Sequence, residues 1–175
     1  MKHLIVIFML ITMSLSTSAK VITGGVEISV EEAQNQVVET IPNSFDFNAI
    51  RNNFIDSNRV ENLTKLLHGY TEEKDRTLGY FSDGSYAVNY KNNPKQVFYY
   101  NNRGILTHTE IRTGLDYPYK TYKYSTTGEL VNMGLRVSEN ETFIFDKNGN
   151  LLAHWLGNNC FDKNKNIIMT RTIEK

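Results

Sequence analysis

The sequence predicts a mainly β protein of the α+β kind: an antiparallel β-hairpin meander of about ten strands behind a short helical N-terminal segment. Three observations carry this. From Thr77 onward Val, Ile, Tyr, Phe and Thr fill runs of four to eight residues bounded by Asn, Asp, Ser and Gly, the composition of strands and tight turns. Within that region one turn phrase is written four times. Before it, from residue 29 to about 69, apolar residues recur at three- and four-residue intervals instead.

The first element is a leader. Met1-Lys2-His3 is a short basic start, residues 4–13 are an apolar run interrupted by Thr12 alone, and residues 14–19 are mostly small and polar, with Thr17 and Ala19 placed as before a cleavage site. Residues 1–19 therefore read as a signal peptide, and the mature chain is expected to be periplasmic, at the cell surface or extracellular. The run is half the roughly 20 residues a spanning helix needs. No second such stretch follows, so no integral membrane segment is expected. No Cys stands directly after the run, where a lipoprotein anchor would need one.

Residues 20–76 are the helical segment with its connector. Ser29 and Glu32 form a capping box ahead of Val30, Ala33 and Val37, and Pro42 closes that helix. Phe47, Ile50 and Phe54 repeat at helical spacing. Asn58 with Glu61 is a second capping pair before Val60, Leu63, Leu66 and Leu67, with Gly69 where a C-terminal cap is wanted. "TEEKDR", 71–76, reads as a charged connector.

Residues 77–175 are the β-hairpin repeat region. Tyr86, Val88 and Tyr90 alternate, as do Val131, Met133, Leu135 and Val137. The recurring phrase is "YNNRGIL" from Tyr100, "YSTTGEL" from Tyr124, "FDKNGNL" from Phe145 and "FDKNKNI" from Phe161, at intervals of 24, 21 and 16 residues. Asp, Asn or Ser suits the first corner of a type I turn, because its side chain bonds the backbone further on. Gly three residues later suits the left-handed position that closes a bulged hairpin. The flanking aromatic and aliphatic residues can then pair across the strands. Lys165 stands where the fourth Gly should be.

"FIFDKNGNL" and "YKYSTTGEL" resemble the tyrosine-aspartate (YD) repeats of RHS-type proteins. "FYYNNRGIL" is similar to the MORN-variant repeats of YwqK-type proteins, which are described as antitoxins. The resemblance spans about residues 97–170 and implies stacked β-hairpins without an active site. "VFYYNNRGILTH" also resembles cell-wall-binding repeats, which implies aromatic pockets for choline or glucan. Those repeats are rich in Trp, and here Trp155 stands alone.

With 19 basic and 19 acidic residues the chain has no formal net charge, so nothing recruits nucleic acid or an anionic membrane. Cys160 is the sole cysteine and cannot form an internal disulfide. Paired with His154 or His108 it would make a thiol hydrolase. However, the two His lie five residues beyond Gly149 and four beyond Gly104, a placement read as equivalent outward strand positions. "DKNGN" lacks the acidic positions of a calcium loop, so no metal or other cofactor is expected. The stretch that bears on binding is "LDYPYKTYKY", 115–124. Exposed Tyr mixed with Lys is a recognition surface for proteins or sugars, which makes Tyr117, Tyr119, Lys120 and Tyr122 the candidate binding residues. The alternative is that Tyr122 and Tyr124 fill the sheet face and Tyr117 and Tyr119 pack across the turn. The expectation is an exported, non-enzymatic interaction or structural module whose partner is a protein or a cell-surface glycan. A small Cys–His hydrolase is the remaining alternative.

Overall fold

A computed structural model describes residues 28–42, 46–59 and 69–171. The leader and the stretch 60–68 lie outside the described residues. Among the described residues eleven antiparallel strands run in sequence order through one open sheet: β1 (Gly69–Glu72), β2 (Arg76–Tyr80), β3 (Tyr86–Tyr90), β4 (Gln96–Tyr100), β5 (Leu106–Arg112), β6 (Tyr119–Ser125), β7 (Leu130–Arg136), β8 (Glu141–Asp146), β9 (Leu151–Leu156), β10 (Asn159–Phe161) and β11 (Ile167–Thr170). The chain is mainly β, as its composition predicts. No helix among the described residues is long and apolar enough to cross a membrane.

Helix α1 (Val30–Glu39) has the predicted capping box. Ser29 Oγ accepts the Glu32 N–H at 3.1 Å, and Glu32 Oε2 accepts the Ser29 N–H at 2.8 Å. Helix α2 (Phe47–Asn52) is shorter than the Phe47–Ile50–Phe54 spacing suggests. Ile50 is buried, but Phe54 lies past the helix end and is exposed. Its carbonyl accepts the Leu106 N–H, and Asp56 N–H donates to the Gly104 carbonyl, which fastens this segment to the β4–β5 hairpin.

Where the sheet starts differs from the sequence expectation. Gly69 opens β1 rather than capping a helix, and Arg76 of the supposed connector opens β2 with 1% exposure. A charged run reads as solvated unless counter-charges arrive from elsewhere, and here they do. Arg76 Nη1 meets Asp56 at 2.9 Å, its Nε meets Glu73 at 2.7 Å, and Nη2 donates to the Asn58 carbonyl at 2.8 Å.

Both helices pack on one face of the sheet. Ala33 and Val37 of α1 sit on Tyr122, Tyr124, Met133, Leu135, Phe143 and Phe145. Ile50 of α2 sits on Leu78, Tyr86, Val88, Phe98, Tyr100 and Leu106. The strand register places these two sets on the same side, because Phe98 opposes Thr109 and Thr109 opposes Tyr124. The other side, here the open face, carries no contact with α1 or α2 from these core sets.

The turn phrase builds what its residue types require. Asn101 Oδ1, Ser125 Oγ, Asp146 Oδ1 and Asp162 Oδ1 each accept N–H groups two and four residues on. Gly104, Gly128 and Gly149 have φ of 74°, 81° and 86°, and Lys165 takes the same left-handed conformation at φ 65°. A further hairpin, around Gly84 (φ 79°), shares the backbone bonds; Phe81 holds its first position, and it escapes the phrase for that reason. All five hairpins join an even strand to the next odd one, so they line one end of the sheet.

Four of them carry a register shift that skips one residue. Tyr99 opposes His108 and Tyr100 opposes Leu106, so Thr107 is skipped in the register. Val131, Leu152 and Ile168 are skipped in the same way. Leu106 and Thr109 both face the helices, so the bulge turns Thr107 and His108 together to the open face.

Candidate interaction site on the open sheet face

Of the four candidate residues, the structure brings two together. Tyr117, in the loop before β6, is 46% exposed and stacks on Tyr119 with ring centres 5.5 Å apart and planes 20° apart. A guanidinium lies over each ring: Arg136 over Tyr117 and Arg112 over Tyr119, both at 6.0 Å. β5 and β7 bring the two arginines there as the strands flanking β6; Tyr119 opposes Arg136, and Thr121 opposes Arg112. Arg112 also meets Glu110 at 3.2 Å. Sequence spacing does not reveal these arginines, since they become neighbours only once two hairpin registers, one containing a bulge, are known.

Lys120 and Tyr122 belong to the other side. Strand alternation turns them away from Tyr119, with Lys120 opposite Leu135. Tyr122 is fully buried under α1, where its hydroxyl donates to the Val37 carbonyl at 2.8 Å and lies 2.7 Å from Thr40 Oγ1. Tyr122 therefore anchors the helix, and on the open face Tyr117 is the exposed ring, stacked on a Tyr119 that is itself buried. Pro118 precedes β6, a central strand that starts at Tyr119.

A second aromatic group lies on the same face nearer the turns. Phe81 stacks on Tyr99 at 6.4 Å and Tyr99 on His108 at 4.2 Å. With Asp83, Asn101 and Thr107 they line an open depression of about 610 Å³. Burial, helped by Lys123, pushes the His108 pKa down to about 4, so the ring is neutral at pH 7 and its Nδ1 pairs with Thr107 Oγ1 at 2.9 Å.

His108 and His154 are not equivalent. The bulge puts His108 on the open face, whereas His154, one residue further from its glycine, lies on the helix face. There it stacks on Phe143 at 4.1 Å and meets Glu141 at 3.0 Å. Cys160 opposes Trp155 and so points to the side opposite His154. Its thiol is buried and its pKa is raised by that burial. Among the described residues no group of three or more His, Cys, Asp or Glu is placed to hold a metal.

No protein family, characterised relative or solved structure matches the chain.

Proposed function

We propose that the chain is an exported, non-enzymatic interaction module that binds a protein partner through the open face of its sheet, around Tyr117, Tyr119, Arg112 and Arg136. The observation that supports this reading is the Tyr117–Tyr119 stack, with Tyr117 half-exposed and Tyr119 buried, and a guanidinium over each ring. Rigid aromatics beside cations are where binding energy concentrates. The exposed residues along the same face, Val131, Leu152 and Ile168, are aliphatic, which suits a protein surface better than a sugar chain.

A glycan reading is favoured by one observation, the Phe81–Tyr99–His108 platform with Asp83 and Asn101 beside it, since stacked rings edged by polar groups suit pyranose faces.

Crosslinking in the native envelope followed by mass spectrometry tests the first reading. Tyr117→Ala combined with Arg136→Gln should weaken capture of the protein partner at least tenfold with unchanged circular dichroism. Undiminished capture overturns the assignment. Retention on an insoluble polysaccharide that Phe81→Ala abolishes would replace it with the glycan reading. An intact mass from the envelope fraction with Met1 still attached would overturn export.

A further inference from the structure

The four bulges form a row. They fall on β5, β7, β9 and β11, always one residue after the aliphatic that closes the turn, so the skipped residues Thr107, Val131, Leu152 and Ile168 share one level of the open face. The three aliphatic ones are 44%, 49% and 55% exposed. Met169, beside Ile168, is exposed as well. Neither hairpin closure nor core packing needs aliphatic side chains at these points, because a bulged residue is skipped in the strand register. Thr107 shows that a polar residue serves.

Strands lie about 4.8 Å apart, so stations on every second strand are separated by about 9.6 Å. Seven residues of α-helix rise about 10.5 Å. A helix laid across β7, β9 and β11 therefore meets Val131, Leu152 and Ile168 with residues i, i+7 and i+14. The twist of the sheet limits this to about three stations on one straight helix.

Charge selects the helix. The turn tips bordering the row carry exposed Arg103, Lys147 and Lys163, with Lys165 beside them. The carboxylates of Asp146 and Asp162 are turned in on their own backbone N–H groups, and Glu129 is the exposed acid of the series. A second copy of this chain would bring its own basic tips against these ones if the two rows packed face to face.

We propose that the bulge row is a docking strip for an amphipathic α-helix of a partner protein, with aliphatic residues at heptad spacing and carboxylates along the flank that meets the turn tips. The proposal rests on the reading of the chain as a binding module, but it names a surface separate from the Tyr117–Arg136 cluster.

The test uses the full chain and three synthetic labelled helices followed by fluorescence anisotropy. One has Leu at i, i+7 and i+14 with flanking Glu, one has the same Leu with flanking Lys, and one is a scramble of the first. The Glu helix should bind, the Lys helix at least tenfold more weakly, and the scramble not measurably. Leu152→Glu should weaken the Glu helix at least tenfold, and Val131→Ser should weaken it several-fold; both sites are exposed, and unchanged circular dichroism confirms folding. Tyr117→Ala with Arg136→Gln should leave this binding unchanged even where it abolishes capture of the envelope partner, which separates failure of the strip from failure of the module. Equal binding of all three helices, absence of binding, or indifference to Leu152→Glu overturns the strip. Sedimentation showing a dimer that Leu152→Glu dissociates overturns it in favour of self-association.

Discussion

Arg76 Nη1 lies 2.9 Å from Asp56 Oδ1 with both side chains closed to solvent, 2% and 1% exposed. Burial alone would lower the Arg76 pKa, yet Glu73 and Asp56 hold it above its ordinary value. Tyr86 donates to the second Asp56 oxygen at 2.8 Å. Breaking a buried pair leaves an uncompensated charge, so Arg76→Met should cost about 3–5 kcal/mol in denaturant unfolding. Adding Asp56→Asn to that variant should recover a large part of the loss, and a purely additive double variant would refute the pairing.

Lys165 occupies the left-handed position that Gly holds in the other phrase turns. The steric cost is roughly 1 kcal/mol. Lys165→Gly should stabilise by up to that amount, less the greater unfolded-state entropy of Gly. The converse holds at Gly149, where φ is 86° and an added Cβ would lie 3.0 Å from Gln34 Nε2 of α1. Gly149→Ala should destabilise, as read by thermal unfolding.

Tyr122 holds the last turn of α1 by donating to the Val37 carbonyl. Tyr122→Phe keeps the ring but leaves that carbonyl unpartnered, at a cost of about 1–2 kcal/mol. Faster amide exchange in 30–39, with β6–β8 little changed, is the expected signature.

The His108 pKa is depressed to about 4 in the folded chain, against 6.5 without its surroundings. Between those values the unfolded chain binds the extra proton and the folded one does not. Stability is thus fully present above pH 6.5 and falls as pH drops toward 4. Discounted for screening at a partly open site, the loss is about 1–2 kcal/mol. A His108→Gln variant should show a flatter stability profile across that window.

Cys160 is buried, and its thiol pKa is raised by that burial. Alkylation by a soluble reagent at neutral pH should be slow. Cys160→Ser should cost some stability, since a buried hydroxyl wants a partner, without loss of partner capture. Fast alkylation that disappears in His154→Ala or His108→Ala would promote the hydrolase reading.

The turns and the α1 cap were legible in the chain itself because each closes within five residues: Asp146 reaches Asn148 and Asn150, and Ser29 reaches Glu32. A sheet whose strands pair in order follows from such turns with little else required. Which face a side chain meets was not legible. Alternation has a period of two, so an offset of one residue changes the face: both hairpins carry the same bulge, yet His154, one residue further from its glycine than His108, falls on the opposite side. Arg76 looked solvated until Asp56, 20 residues earlier in the chain, came to lie against it. Local hydrogen bonds determine where this chain turns, whereas the summed register of successive hairpins, a long-range quantity, decides which residues become core, anchor or surface.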